Sequence, residues 1–153
     1  MDKHGIIRVP IQTHLKKFIT KQYGTPFKID LSSVLGQMVS LHISGKSSVK
    51  KRIIGCNDYM EVTISNRHAT RGEVRISYIS MLAYATDRLF KEQMYIFVKA
   101  QEMSGFSKWQ AATNFLKYFD IREDEYNIDS LYRALERKEV STIVNEKKLS
   151  KAS

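Results

Sequence analysis

Lys46, Lys50, Lys51 and Arg52 put four cations into one seven-residue stretch. Side chains of this kind hold phosphates by charge and by N–H donation. Arg67 and Arg71 repeat the theme inside a turn segment, Asn66 to Gly72. Lys16, Lys17 and Lys21 line the wet side of a helical pattern, and Arg8 stands in a β-branched run. These ten residues are the candidate nucleic-acid contacts. Gly45-Lys46-Ser47 matches the end of a phosphate-binding loop, but the first glycine of that motif would fall on Ser40. Contact with phosphates through side chains is therefore the expected use of Lys46.

Other chemistry finds little support. His4, His14, His42 and His68 are scattered, at no metal-ligand spacing from one another or from Cys56. One cysteine and lone histidines do not suggest a nucleophile and its base. Asp58, Glu61 and Glu73 could serve a metal-dependent nuclease. Such sites usually add a lysine near the second carboxylate, whereas Arg75 follows Glu73, and arginine cannot give up its proton. A non-enzymatic protein with no cofactor and no metal is expected.

Charge then indicates a partner. Of the net +9, residues 1–57 hold ten Lys and Arg against two acids, or +8. Residues 58–103 sum to 0 and residues 104–153 to +1. A field concentrated in the first third attracts polyanions, of which nucleic acid is the commonest. DNA is favoured, with RNA an alternative in which Tyr59, Tyr78 and His68 would stack bases. The chain of 153 residues is 42% hydrophobic and 27% charged, enough for a sizeable core. No run approaches the roughly 18 apolar residues of a membrane span. The opening residues lack a signal-peptide core, and the single cysteine excludes a disulfide framework. A cytoplasmic homo-oligomer, most simply a homodimer, is expected.

The elements that must position these groups follow from periodicity. Tyr78 to Met103 has no Pro or Gly and repeats Leu82, Leu89, Ile96 and Met103 every seven residues, with Ala83, Phe90 and Phe97 widening the stripe. This predicts a long central helix, capped by Ser77. Ile6 to Ile11 alternates as a strand, with Pro10 confining it to an edge. Thr13 would cap a helix carrying Leu15, Phe18 and Ile19, ended by Gly24. Thr25 to Leu31 reads as a connector, and a Ser-capped helix with Leu35, Met38, Val39 and His42 would end at Gly45. Asp58–Ser65 and Glu73–Ser77 alternate and predict a hairpin with a basic tip. Ser107 and Gln110 form a capping box before the apolar positions Trp109, Ala112, Leu116 and Phe119. Asp129 would cap a last helix with Leu131, Ala134 and Leu135 inward and Arg133, Arg137 and Lys138 outward. Beyond Val140 a polar, frayed tail is expected.

The fold class read from this is α+β, mostly helical: an N-terminal strand-helix-helix, a central β-hairpin, a long central helix and a C-terminal helical hairpin. The expected divisions are a basic region 1–57, a hairpin plus three-helix region 58–140 and a polar tail 141–153.

Ile7-Arg8-Val9-Pro10, then Leu15, Phe18, Ile19, Gly24 and a Ser-capped helix, resembles the ribbon-helix-helix family over residues 6–44. The resemblance implies a ribbon of two paired strands in the major groove, Arg8 reading base edges, and a phosphate near Ser32 and Ser33. The connector after Gly24 is longer, and the strand more apolar, than that family has. Ala100, Gly105 and Ala111 or Ala112 approximate helix-turn-helix spacing, with one residue too many before the glycine. There Lys108, Lys117, Arg133 and Arg137 would touch DNA locally. The whole is similar in character to small bacteriophage or mobile-element proteins. An alternative reading is a structural or adaptor protein of a larger, phage-like assembly.

Overall fold

The computed structural model describes residues 5–28, 57–64 and 76–150. The protein is α+β and mostly helical. It forms two compact units, Met1–Phe90 and Lys91–Ser153. The expected helix ending at Gly45, the cationic stretch 46–52 and the turn 66–72 lie outside the described residues.

In the first unit, β1 (Gly5–Ile11), α1 (Thr13–Tyr23), β2 (Phe27–Lys28) and β3 (Asp58–Ile64) precede α2 (Ile76–Met103). The strand order is β1-β3-β2. β3 runs antiparallel to β1 from Gly5↔Ile64 to Ile11↔Asp58, and parallel to β2 at Phe27↔Val62 and Lys28↔Thr63. Strand alternation sends Val9, Ile11, Phe27, Met60 and Val62 to one face, where all are buried. Leu15, Phe18 and Ile19 of α1 are buried with them, and Phe90 of α2 meets Phe18 edge-on at 5.4 Å. Thr86 is also buried; its hydroxyl donates to the Leu82 carbonyl at 2.8 Å, so its burial leaves no donor unmet.

Several expectations change here. β3 pairs with β1, and Ile76 and Ser77 belong to α2, not to a second hairpin strand. The ladder with β1 spans all of β3, and β2 takes its other edge at Val62 and Thr63. Ser77 therefore lies within the helix it was expected to cap. Thr13 is likewise the first residue of α1, and Gln12 stands before it with no capping side chain. Gly24 does end α1 at φ +81°, its N–H donating to the Thr20 carbonyl at 2.9 Å. Part of the expected connector forms β2, reached through a cis Thr25–Pro26 bond.

The second unit contains the rest of α2, then α3 (Lys108–Tyr118) and α4 (Ile128–Ser150). Gly105, at φ +91°, ends α2 with Phe106 N–H donating back to the Gln101 carbonyl at 3.1 Å. The Ser107–Gln110 capping box forms as expected, with Ser107 Oγ accepting from Gln110 N–H at 3.3 Å and Gln110 Oε1 accepting from Ser107 N–H at 3.2 Å. Met94, Val98, Phe115, Leu116, Leu131 and Leu135 are core. Ile96 and Met103 are 58% and 90% exposed, so the seven-residue repeat is not the buried seam along α2. Each stretch of α2 buries its own stripe: Leu82, Leu89 and Phe90 in one unit, Met94 and Val98 in the other. A straight helix at 3.6 residues per turn drifts off a seven-residue repeat, by about 20° per heptad.

Trp109 is half-exposed, tilted against Tyr132 at 6.2 Å, and Phe115 with Ala111 takes the buried place expected for it. Asn127, not Asp129, caps α4: its Oδ1 accepts from Asp129 N–H at 2.7 Å and Ser130 N–H at 3.4 Å. α4 also runs to Ser150, well past the expected fraying at Val140. No helix among the described residues is long and apolar enough to cross a membrane.

Candidate nucleic-acid interface

β1 alternation that buries Val9 and Ile11 turns Ile6, Arg8 and Pro10 to the other face of the sheet. Register sets Pro10 across from Tyr59, Arg8 across from Glu61 and Ile6 across from Thr63, with Lys28 beside Thr63. α1 covers the opposite face, and among the described residues nothing covers this one: the Arg8 side chain is 75% exposed and Tyr59 is 60% exposed. Arg8 Nε stands 3.9 Å from Glu61 Oε1 in a pair exposed on both sides. Such a pair contributes little and leaves the guanidinium able to turn toward a ligand.

The lysines of α1 lie in the layer that covers the other face. Lys16 Nζ donates to Asp58 Oδ1 at 2.7 Å, which holds the Asp58 carboxyl below the ordinary aspartate range. Asp58 also accepts from Tyr59 N–H at 2.7 Å, so this pair fixes α1 against the start of β3. Lys17 is half-buried and Lys21 exposed on the same helix. The structure therefore does not bring Arg8 together with Lys16, Lys17 and Lys21, and it gives Lys16 a structural task. Lys46, Lys50, Lys51, Arg52, Arg67 and Arg71 are outside the described residues. In the chain, their two stretches lie on either side of β3. Asp58 and Glu61, considered above as paired carboxylates, fall on opposite faces of β3. Among the described residues no His, Cys, Asp and Glu cluster could hold a metal.

In the second unit, Lys108 is engaged within the fold. Its ammonium donates to Glu139 Oε2 at 2.8 Å and lies 5.7 Å from the Tyr132 ring centre. Lys99 donates to Glu139 Oε1 at 2.6 Å and to Glu102 Oε2 at 3.0 Å, and Lys138 is bonded to Glu92. Lys138, expected to face outward, and Glu139 tie α4 to α2 and α3. Lys117, Arg133 and Arg137 remain exposed. Hydrogen bonds from Lys108 and Lys99 lower the Glu139 pKa, and the bond to Glu139 raises that of Lys108. A depressed carboxylate contributes stability above its unfolded pKa, about 4.3 for glutamate, and loses it as pH falls through the folded value. Stability should thus decline on acidification below that range, and Glu139→Gln should flatten the decline; urea midpoints measured across acid pH check this. Equal acid slopes in the two proteins would deny Glu139 that role.

The signal for Tyr59 and Lys28 as open-face residues was partial. Alternation in Asp58–Ser65 already set Tyr59 apart from Met60 and Val62. Lys28 had no such cue, because β2 is only two residues long. No family model, curated protein or solved structure matches this chain.

Proposed function

We propose that the chain is a non-enzymatic nucleic-acid-binding protein, with DNA the favoured polymer, that meets its ligand through the open face of the β1-β3-β2 sheet. The observation that carries this is Arg8, exposed in the face α1 leaves uncovered and joined there by Lys28 and Tyr59. A small sheet can present such side chains to base edges. Lys46, Lys50, Lys51 and Arg52, with Arg67 and Arg71, supply phosphate contacts from the chain on either side of β3. On this reading Arg8 selects and the lysines hold. The outer edge of β1 has no strand partner among the described residues. A second copy pairing there would give the homodimer that the ribbon-helix-helix resemblance implies.

The test is a salt series with labelled duplex and single-stranded DNA, read by anisotropy. Affinity should fall steeply with salt, each phosphate contact adding about 0.9 to the log-log slope on duplex and about 0.7 on single-stranded DNA. Arg8→Ala should weaken the preferred sequence by about 1–3 kcal/mol and others far less, flattening preference. If neither form binds, or if binding ignores salt between about 50 and 300 mM, the reading fails.

A second reading is an adaptor in a larger assembly. It draws on α4, where Val140, Ile143 and Val144 are exposed at helical spacing. Light scattering with and without DNA separates the two, since a higher oligomer indifferent to DNA favours the adaptor.

A further inference from the structure

We infer that the open sheet face receives an unpaired nucleobase, stacked on the ring of Tyr59, and that the preferred ligand is a single strand. This rests on the reading that the face meets nucleic acid, and deepens it by naming the form of the polymer.

Tyr59 sits on the central strand, with Pro10 directly across from it on β1. β2 reaches only Val62 and Thr63, so no strand flanks Tyr59 on that side among the described residues. Tyr59 is 60% exposed. An aromatic face of this kind offers a base a stacking partner. A duplex groove cannot use it, because grooves present base edges while base faces stay inside the stack.

The charges of the same face agree. Glu61 stands beside Arg8 in the middle of the sheet and offsets its charge. A phosphate track across that centre would meet a carboxylate. Bases turned toward it would not be repelled: Glu61 can accept from an exocyclic amino group or a ring N–H, and Arg8 can donate to a carbonyl or ring nitrogen. Arg8 lies diagonally from Tyr59, about 7–8 Å away by sheet geometry, within reach of a base stacked on the ring. Lys28 lies at the far end, beside Thr63 and four residues along β3 from Tyr59, roughly 14 Å. It is placed to take a phosphate where the strand leaves the sheet. The Tyr59 ring, the Arg8–Glu61 pair and Lys28 thus follow one another along the strand direction of the face, at positions 59, 61 and 63 of β3 and beside it.

Three probes of about 16 nucleotides test this: oligothymidylate, oligouridylate, and the thymidylate annealed to its complement. Both single strands should bind the intact chain more tightly than the duplex, and the tighter of the two names DNA or RNA as the source of the base. Tyr59→Ala should weaken single-strand binding by about 5- to 150-fold, the range of one lost stack. Tyr59→Phe, which keeps the ring, should stay near the unaltered protein. Circular dichroism controls for folding, which an exposed side chain should not disturb. A duplex bound as tightly as the single strands, or a Tyr59→Ala protein equal to the original, overturns the inference while leaving nucleic-acid binding intact. Tyr59→Phe falling as far as Tyr59→Ala overturns it too, since the hydroxyl and not the ring would then act. Failure of all three probes to bind overturns the broader reading.

Discussion

Phe90→Ala should lower stability by about 3–5 kcal/mol, a large share of the roughly 5–15 kcal/mol that holds a folded domain together. Phe90 is fully buried, and its ring meets Phe18 at 5.4 Å and His14 at 5.2 Å, both edge-on. Truncation removes the transfer free energy of the ring and leaves a cavity between α1 and α2. Aromatic pairing adds to the loss beyond the buried area. Ile96→Ala, on the same helix, is the matched control. Ile96 is largely exposed, so its loss should change stability by about 0.5 kcal/mol or less. Urea unfolding followed by circular dichroism measures both. A Phe90→Ala protein within about 1 kcal/mol of the original would mean that α2 does not anchor this core.

Reversing three charges at once, Lys50→Glu, Lys51→Glu and Arg52→Glu, should weaken binding to every nucleic-acid sequence alike. If each residue holds one phosphate, the log-log salt slope should fall by about 2.7 on duplex DNA, three contacts at about 0.9 each, or by about 2.1 on a single strand at about 0.7 each. At moderate salt that amounts to a loss of orders of magnitude, made larger by the repulsion of three new carboxylates. Arg8→Ala should behave in the opposite way, changing preference between sequences more than the salt slope. The contrast separates holding from reading. An unchanged slope in the triple variant would remove residues 50–52 from the interface.

What could be read in advance was local. Val9 and Ile11 alternating with Arg8, and Met60 and Val62 with Tyr59, gave both long strands and the side each residue faces. The Ser107–Gln110 box and Gly24 also hold, because a cap is settled within a few residues of chain. Pairing is different. That β3 joins β1 depends on residues about fifty positions upstream, which no short window contains. β2 escaped notice because two residues show no period. The seven-residue repeat of α2 misled because Ile96 and Met103 look like core when only their type is read. Which stripe is covered is decided by the neighbouring layers. Asn127 and Asp129 both make good caps, and sequence does not say which one the backbone reaches first. For the candidate site, Arg8 was legible from alternation, while the employment of Lys16 by Asp58 and of Lys108 by Glu139 arises only from tertiary proximity.

The strand order β1-β3-β2 also bears on how the molecule forms. β3 is the last of the three in the chain and the middle one in space. Among these strands every ladder includes it, so β1 and β2 can only wait until residue 64 has been made. Closing that long loop comes before any pairing repays it, and such non-local topology slows folding. Nascent chains halted before β3 should therefore carry α1 without a sheet, an apolar helix face awaiting its cover and a natural client for chaperones.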